Sequence, residues 1–298
     1  MRENNLKYGD KIIYMEGVIV EVHDGCVAID LKGRLGYLKV PMRMLITDYE
    51  IKVGQEVGFN MSFVEQLGSQ PNYKYISNLM TRNKKILNEM KIALSTAAGV
   101  HHKYDKRFNL AGDFTFRIVT DSMPSNELMV SHGGYDNGNV NKDINCMFPI
   151  DRLHELATEG CIGSVATVHI GFMGGGGNQQ KFKEETGPKI ARILKEEGVD
   201  GVLLTAGWGT CHRSAVLVQR AIEEAGIPTI IIAALPPVVR QTGTPRAVAP
   251  RVPMGANAGE PNNRKMQYNI VKDTLIQLHD IQIPDKIVPL PYEYLARV

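Results

Sequence analysis

The chain has 298 residues, of which 43% are hydrophobic and 22% charged, and its formal net charge is +2. This composition is that of a globular protein with a substantial core, and the small net charge gives no indication of nucleic acid or an anionic membrane as the main partner. No segment has the pattern of a signal peptide or of a membrane span, and the four scattered cysteines form no C-x-x-C pair. We therefore expect a cytoplasmic protein without membrane contact, disulfide framework or structural zinc site.

Residues 1–67 are predicted to form a small all-β unit. The segments KIIYMEGVIVEV, CVAIDL, GRLGYLKVP and VGQEVGFNMSFV are rich in β-branched residues and are separated by Gly, Asp and Pro. About five short strands in such a length indicate a closed barrel similar to the OB and S1 types. Barrels of this kind often bind RNA through aromatic side chains on one face, here Tyr14, Tyr37 and Phe59, but a structural or docking role is the favoured interpretation.

Residues 68–90 are predicted to be a linker followed by a short helix. The run LGSQPNYKYISN is polar, and Pro71 disfavours a helix at its start. The short helix is expected over roughly 79–90. From Lys91 onward the pattern changes, so residues 91–298 are predicted to be a second domain.

This second domain is predicted to be an α/β fold with a doubly wound, mostly parallel sheet of the Rossmann-like kind. Strand candidates alternate with helix candidates, in the order KIALSTAAG, PIDRLHELATEG, SVATVHIGF, EETGPKIARILKEEG, GVLLTAG, HRSAVLVQRAIEEAG and IPTIIIAAL. A last helix over roughly 265–279 and an extended tail close the chain. Because ligands in such sheets bind beyond the carboxyl ends of the strands, the loops at those ends are the candidate site.

Three loops follow predicted strand ends. The first, AAGVHHKYDKRFN, carries histidines and several charged side chains. The second contains the consecutive glycines Gly174, Gly175, Gly176 and Gly177, which have neither the spacing of a dinucleotide fingerprint nor that of a P-loop, so no nucleotide cofactor is predicted. These glycines leave backbone N–H groups room to approach an anion such as a carboxylate, and a flexible loop without a ligand is an equally favoured interpretation.

A long polar segment, SHGGYDNGNVNKDINC, is predicted to be a loop without regular structure. His132, Asp136 and Asp143 are candidate metal ligands, but no helical spacing holds them together. The favoured interpretation is a surface loop whose Asn and Asp side chains cap turns, so no metal site is predicted.

The third loop, TAGWGTCHRSAVL, contains Cys211, the strongest candidate for chemistry. Cys211 is expected in the first turn of a helix, where free N–H groups and the helix dipole lower the pKa of a thiol, and His212 adds a candidate positive charge. Trp208 is the only tryptophan of the chain, and it stands to Cys211 as the first cysteine of a C-x-x-C redox pair stands to the second. Tryptophan cannot supply that chemistry, and the alternative role for its ring is to cover a hydrophobic pocket.

The segment from TAGWGTCHRSAVLVQRAIEEAG to MGANAGEPNN resembles the selenocysteine-containing B-component family of the glycine, sarcosine, betaine and D-proline reductases. The resemblance includes TAAGVHHKYDKRFNLAGDF, VSHGGYDNGNVNKDINCMFPIDRL and GFMGGGGNQQKF, and it covers residues 91–298 but not the barrel. The Sec-G-T-C-H motif of the family aligns with residues 208–212, so Trp208 occupies the selenocysteine position. Selenocysteine is encoded by UGA, one base from the tryptophan codon UGG, and we hypothesise that Trp208 is a recoded or substituted selenocysteine.

The resemblance also implies an activity and partners. It is strongest to the branch of the family that cleaves D-proline reductively between its nitrogen and α-carbon to give 5-aminovalerate. In that reaction a pyruvoyl-containing partner subunit activates the substrate, and a selenolate at position 208 attacks the α-carbon. Cys211 resolves the adduct, and a dithiol electron-donor protein reduces the resulting selenide-sulfide. With Trp208 in place, the chain as written is expected to lack the nucleophile.

Further site residues are expected on the same basis. His212 is a candidate proton donor or stabilising cation. The glycine loop, Arg240 and Arg246 are candidates for binding the substrate carboxylate. Two alternatives stay open: a related reductase for another cyclic or N-substituted amino acid, and a non-catalytic paralogue that docks a partner or RNA through its barrel.

Overall fold

The computed structural model of the chain describes residues 11–23, 26–33, 35–64, 86–281 and 284–295. The chain divides into two compact units, residues 1–72 and 73–298. Within the described ranges, no helix combines the length and the apolar character that crossing a membrane requires. The predicted linker and most of the short helix before residue 91 lie outside the described residues, and the part that is described forms a single 3-10 turn, Leu87–Glu89.

The first unit contains an antiparallel sheet, which confirms the predicted β region. In the described residues it has four strands rather than about five, in the order β3-β2-β1-β4. Ile19, Val27, Ile29 and Leu31 form its buried core. The strands are β1 (Ile13–His23), β2 (Cys26–Leu31), β3 (Gly36–Pro41) and β4 (Glu56–Met61).

The three aromatic side chains singled out for RNA binding do not share a face of this sheet. Phe59 lies opposite Met15 across the β1–β4 pair and packs against the core. Tyr14 precedes Met15 on its strand, and since successive side chains of a strand point to opposite faces, it lies on the other face. Its exposed fraction is 65%. A stacking platform of all three rings is therefore not formed.

The second unit is built on a mostly parallel sheet, as predicted. Its main strand order is β14-β13-β12-β11-β5-β10-β7, and every neighbouring pair is parallel except β7 with β10. These strands are β5 (Lys91–Ala97), β7 (Phe116–Thr120), β10 (Val168–Phe172), β11 (Gly201–Ala206), β12 (Thr229–Ile232), β13 (Arg246–Arg251) and β14 (Lys286–Glu293). The two-residue strand β9 (Ser164–Val165) adds to β5, and β6 (Val100–His102) pairs with β8 (Leu128–Val130).

Helices cover both faces of this sheet, which makes it doubly wound. Val202 and Leu204 of β11 belong to one buried cluster, and Leu203 between them belongs to the other. This all-apolar pattern is typical of a parallel strand that is buried on both sides. The helices are α1 (Gly138–Lys142), α2 (Ile150–Thr158), α3 (Gln179–Lys181), α4 (Gly187–Glu196), α5 (Gly209–Glu224), α6 (Pro236–Thr242) and α7 (Arg264–Asp280), with a π-helical turn, Phe182–Thr186, between α3 and α4.

Several elements differ from the sequence-based expectation. The strand predicted over SVATVHIGF is divided into β9 and β10. The tail after residue 285 joins the sheet as β14, and β13 was not predicted because Pro250 interrupts its apolar pattern. The polar segment 131–146, predicted to have no regular structure, contains α1.

The order of the parallel strands creates a topological switch point between β5 and β11. The chain leaves β5 to form β10 on one side, whereas the strands from β11 onward are added on the other side. Counted along the chain, the six parallel strands have the order 2-1-3-4-5-6, the arrangement of flavodoxin-like sheets. Ligands bind at the carboxyl ends of the strands at such a point, which here are Ala97 and Ala206, paired in register.

Candidate active site

Trp208 lies at the switch point, directly after β11. Gly207 joins the two, and its N–H donates to the carbonyl of Ala97 at the end of β5, with an N···O distance of 3.2 Å. A Cβ atom at Gly207 would lie 2.2 Å from the ring of Tyr135, so only glycine fits there. Trp208 is the N-cap residue of α5, with extended backbone, and the residue is 43% exposed.

Cys211 is the third residue of α5 and is fully buried. Its thiol lies 3.2 Å from the carbonyl of Met173, which accepts its hydrogen. Burial raises the pKa of this thiol to about 11, although the N–H of Trp208 and the hydroxyl of Thr210 favour the thiolate and act in the opposite direction. The lowered pKa expected from the helix N-terminus is therefore wrong for Cys211, because desolvation outweighs the N–H groups.

Positions 208 and 211 are the two reciprocal positions of a helix capping box, in which the side chain of each residue faces the backbone N–H of the other. The backbone N–H of Trp208 hydrogen-bonds to the Cys211 sulfur and so lowers the pKa of this thiol. In the other direction, the Trp208 side chain makes no capping hydrogen bond, since an indole can donate but not accept. The first turn of α5 thus lacks the side-chain acceptor that its free N–H groups would bind.

His132 is the second functional side chain at Cys211. Its Nε2 atom lies 2.9 Å from the Cys211 sulfur and 3.1 Å from the carbonyl oxygen of Met173. Its Nδ1 atom accepts the N–H of Gly134 at 2.9 Å. Burial lowers the pKa of His132 to about 4, so the ring is neutral near pH 7.

Sequence reasoning named His132 only as a candidate metal ligand and missed this contact. The two residues are 79 positions apart, and no spacing rule joins them. Within the described ranges, no three His, Cys, Asp or Glu side chains form a group that could hold a metal ion. Asp136 and Asp143 instead accept backbone N–H groups, from Gly138 and from Asn145 respectively, as turn caps do.

One end of the glycine loop reaches Cys211. A Cβ atom at Gly174 would lie 3.1 Å from the Cys211 Cα atom and equally close to Ala97, and the φ of Gly174 is +73°, so both packing and backbone favour glycine here. Gly175 is half-buried, and Gly176 and Gly177 are exposed. The loop thus runs from the buried sulfur to the surface.

The remaining predicted residues lie in different places. Arg240 is exposed on α6, the helix that follows the carboxyl end of β12. Arg246 begins β13 and so lies at the opposite edge of the sheet, where its guanidinium pairs with Glu223 and donates to the carbonyl of Ile281. These contacts correct the expectation that Arg246 binds a substrate carboxylate, because the side chain is buried and already paired.

His212 is buried under the start of α5, and its Nδ1 lies 2.7 Å from the carbonyl oxygen of Trp208. Burial lowers its pKa, so a stabilising cation is not formed at neutral pH. Its Nε2 atom has no hydrogen-bond partner among the described residues.

Two further side chains hold the site and were not predicted. The Tyr135 hydroxyl donates to the carbonyl of Ala98, at 3.0 Å. The amide of Asn257 donates to the carbonyls of Ala206 and Ile232, at 3.1 and 2.8 Å, and so joins the carboxyl ends of β11 and β12. These contacts depend on loops distant in sequence, and no local pattern indicates them.

Comparison with known proteins places this site in a family. Residues 77–207 match the family model described as Glycine/sarcosine/betaine reductase selenoprotein B, and the match stops one residue before Trp208. D-proline reductase subunit gamma of Acetoanaerobium sticklandii is 72% identical over 214 residues, which are 72% of this chain and 88% of that protein.

More distant relatives belong to related complexes. Sarcosine reductase complex component B subunit beta of Peptoclostridium acidaminophilum is 32% identical over 59% of this chain, and glycine reductase complex component B subunit gamma of Carboxydothermus hydrogenoformans is 33% identical over the same share. The chain spans 41% of the length of each of these two proteins. None of the solved structures matches it. The chain therefore belongs to the family that comprises D-proline reductase subunit gamma and the selenoprotein B components of the glycine, sarcosine and betaine reductases.

Proposed function

We propose that this chain is the catalytic subunit of a D-proline reductase, which cleaves the bond between nitrogen and α-carbon of D-proline to give 5-aminovalerate. Similarity over 88% of D-proline reductase subunit gamma supports the substrate. The observation that carries the chemistry is the position of residue 208. It is the exposed N-cap of α5 at the switch point of the sheet, with Cys211 buried three residues further on.

An anionic selenium side chain fits position 208 better than an indole does. The N–H groups of the first turn of α5 have no side-chain acceptor, and an anion at a helix N-terminus is stabilised by these groups. A selenocysteine there would supply a soft nucleophile that is anionic at neutral pH. Trp208 is 43% exposed, so position 208 is open to solvent at the carboxyl ends of the strands, where a substrate can approach.

Cys211 is suited to act second, as the resolving thiol. Burial keeps it protonated at neutral pH, so it does not compete with residue 208 for the substrate. Its place at the reciprocal capping position holds its sulfur close to residue 208 without a change of backbone. His212 is not retained as a proton donor, because its lowered pKa leaves the ring neutral and its one N–H, on Nδ1, is donated to the Trp208 carbonyl.

The glycine loop and Arg240 are our candidates for the substrate carboxylate. Gly174 packs against Cys211, and Gly176 and Gly177 expose backbone beyond the strand ends. Arg240 follows the same edge of the sheet on α6. A loop N–H and a guanidinium are both suitable donors to a carboxylate.

The proposed reaction needs two partners, in a reducing cytoplasm. A pyruvoyl group on a partner subunit would withdraw electrons from the substrate amine, and a dithiol protein would return the enzyme to its reduced state. The relatives named as components and subunits of reductase complexes support an assembly of several chains. All four cysteines of this chain are free, as a reducing compartment favours.

The codon for position 208 in the source gene gives the first test. UGA would support the selenocysteine assignment, and a native UGG codon would contradict it. The second test is 5-aminovalerate formation from D-proline by the chain with its pyruvoyl partner and a dithiol reductant. We expect no product with Trp208, weak activity for Trp208→Cys and full activity with selenocysteine at position 208, whereas Trp208→Ala is the inactive control. Substantial turnover with Trp208 would refute the proposal, and product from sarcosine or betaine alone would assign another substrate.

A further inference from the structure

We propose that His132 stabilises the thiolate of Cys211 as a neutral hydrogen-bond donor through Nε2–H, and that it is not the base that deprotonates this thiol. The inference deepens the proposed function, because it concerns the thiol assigned there as the resolving group. It rests on the contacts of three groups: the Cys211 sulfur, the His132 ring and the backbone around them.

The first step is the tautomer of His132. The Gly134 N–H points to Nδ1 at 2.9 Å, and a backbone N–H can only donate. Nδ1 must therefore carry a lone pair and no proton. A neutral imidazole has one N–H, which is then on Nε2.

The second step is what this N–H faces. Nε2 lies 2.9 Å from the Cys211 sulfur and 3.1 Å from the Met173 carbonyl oxygen. The thiol of Cys211 also lies within reach of this carbonyl, at 3.2 Å. While the thiol is protonated, the carbonyl accepts from both groups. When the thiol ionises, its own donor is lost, and the Nε2–H donates to the sulfur without any movement of the backbone.

The third step excludes a general base. To take the thiol proton, Nε2 must first give up its hydrogen, which places a proton on Nδ1 opposite the Gly134 N–H. Protonation of both nitrogens produces the same conflict of two donors at 2.9 Å. Burial acts in the same direction, since it lowers the pKa of His132 to about 4.

Among the described residues, a second titratable group, Tyr135, faces Cys211 and does not take the proton either. Tyr135 interacts with Cys211, but burial and the nearby thiols raise its pKa, and its hydroxyl donates to the Ala98 carbonyl. His132 is therefore the group within hydrogen-bond reach of the sulfur that can respond to its ionisation.

His132 and Cys211 are also joined to position 208 by packing. A Cβ atom at Gly134 would lie 2.9 Å from His132 Cε1 and 3.1 Å from Trp208 Cγ. The residue that fixes the tautomer of His132 thus touches the side chain at the proposed selenocysteine position. A displacement of His132 is therefore expected to alter the packing at both position 208 and Cys211.

The test measures the ionisation of Cys211 directly and needs no D-proline turnover. Cys26 and Cys161, the two partly exposed cysteines, are replaced by serine. Because Cys211 is buried, its ionisation is then followed without a reagent, by the ultraviolet absorbance of the thiolate from pH 7 to 12.5. The same titration of each variant with Cys211→Ser added is subtracted, and the midpoint of the difference gives the apparent thiol pKa. Midpoints are compared because they do not depend on how readily a reagent enters the site.

The variants separate a donor from a base and from a spacer. Removing a hydrogen bond to a charged group is expected to raise the midpoint by about one pH unit or more. In His132→Phe, the ionised fraction of Cys211 at a given pH below the midpoint should therefore be about tenfold lower. His132→Gln retains an N–H donor and should stay within about threefold of the parent. His101→Gln replaces another buried histidine, which contacts Ser131 rather than Cys211, and should leave the midpoint unchanged. Circular dichroism confirms that each variant is folded.

Two results would overturn the inference. Equal midpoints for the parent, His132→Phe and His132→Gln would show that His132 has only a packing role. A midpoint raised as much in His132→Gln as in His132→Phe would show that an N–H donor at this position does not stabilise the thiolate. That result would favour a role of His132 as a base.

A second readout examines the tautomer itself. Long-range ¹H–¹⁵N correlation spectra of histidine-labelled protein, assigned with His132→Gln, should show His132 neutral and protonated on Nε2 at pH 7. A proton on Nδ1 would contradict the inference. Both readouts use the chain without its partner, so a failure of D-proline reduction leaves them intact and the two proposals can fail separately.

Discussion

Gly134 lies so close to Trp208 that a Cβ atom on it would come within 3.1 Å of the indole Cγ atom and within 3.3 Å of its Cβ atom. The same added atom would also press on His132. We therefore expect Gly134→Ala to shift residue 208 by a few tenths of an ångström. The only tryptophan of the chain is at the position concerned, so its fluorescence emission and acrylamide quenching report the shift.

Gly133 provides the matched control for this variant. A Cβ atom there meets only Leu110, at an ordinary 3.7 Å. Gly133→Ala should leave the tryptophan emission unchanged. Identical spectra for both variants would contradict the packing of Gly134 against Trp208.

The side chain at position 208 should decide the stability of the first turn of α5. Trp208 makes no capping hydrogen bond, whereas a serine hydroxyl at an N-cap accepts a backbone N–H. Trp208→Ser should therefore be more stable than Trp208→Ala by about 1 kcal/mol, measured as the free energy of unfolding in urea. Both variants lose the same indole contacts, so the difference isolates the cap. Equal stabilities would show that residue 208 is not the N-cap.

Cys211 should make the chain less stable in alkali. Its thiol has a pKa of about 11 when folded, against an ordinary value of 9.0, so the unfolded chain releases its proton first as pH rises. The stability that the buried thiol contributes is complete below pH 9 and is lost progressively towards pH 11, by up to about 3 kcal/mol.

Comparison with Cys211→Ser isolates this effect, because Cys146 and Tyr135 also have pKa values raised by burial. The serine hydroxyl does not ionise in this range, and it can still donate to Met173. The difference in unfolding free energy between the parent and Cys211→Ser should shrink between pH 8 and 11. A constant difference would contradict the raised pKa.

Asn257 should be important for stability, although it contacts no predicted catalytic group. Its amide donates to two carbonyls at the ends of β11 and β12, and their loss leaves two buried acceptors without partners. Asn257→Ala should lower the free energy of unfolding by about 2–4 kcal/mol. The exposed Asn126→Ala should change it by less than about 0.5 kcal/mol. An equally small effect at both sites would rule out the bridging role.

Arg240 and Arg246 should respond differently to substitution. Arg246→Met removes the charged partner of Glu223, which keeps only its hydrogen bonds from Thr229, and should destabilise the fold by about 3 kcal/mol. The KM for D-proline of the folded enzyme should stay the same. Arg240→Gln should leave stability within about 0.5 kcal/mol and raise KM, if Arg240 binds the carboxylate as proposed. Both parameters are measured on the form with selenocysteine at position 208. A raised KM for Arg246→Met alone would reverse the assignment.

The sequence predicted those features that local patterns determine. The strand GVLLTAG and the helix after it, with Trp208 and Cys211 at their junction, follow from a short apolar run, a glycine turn and a helical period, and the structure contains all three. The class of the fold follows from the same alternation. The motif around Cys211 identified the family because its residues are contiguous.

Features that depend on distant contacts were not predictable in the same way. His132 reaches Cys211 from a loop 79 residues away. The pKa of Cys211 was expected to fall because the sequence shows the helix N-terminus but not the burial of the sulfur. The sequence also did not show that Arg246 pairs with Glu223, because this contact depends on how α5 packs beside β13. Arg246 was therefore expected to bind the substrate carboxylate. In each case the deciding quantity is tertiary burial or pairing.

The helix α5 is fixed at both of its ends, and this has a consequence for how the enzyme works with a partner. Near its start, Ser214 donates to the carbonyl of Gly174, and near its end Glu223 and Gln219 hold the first residue of β13. Residues 208 and 211 are the N-cap and a first-turn residue of this one helix. The conformational entropy that is lost when a redox pair is brought together is therefore lost once, during folding, and not in each turnover. In the proposed complex the partner that delivers the activated substrate then meets a pair of positions that is already in place.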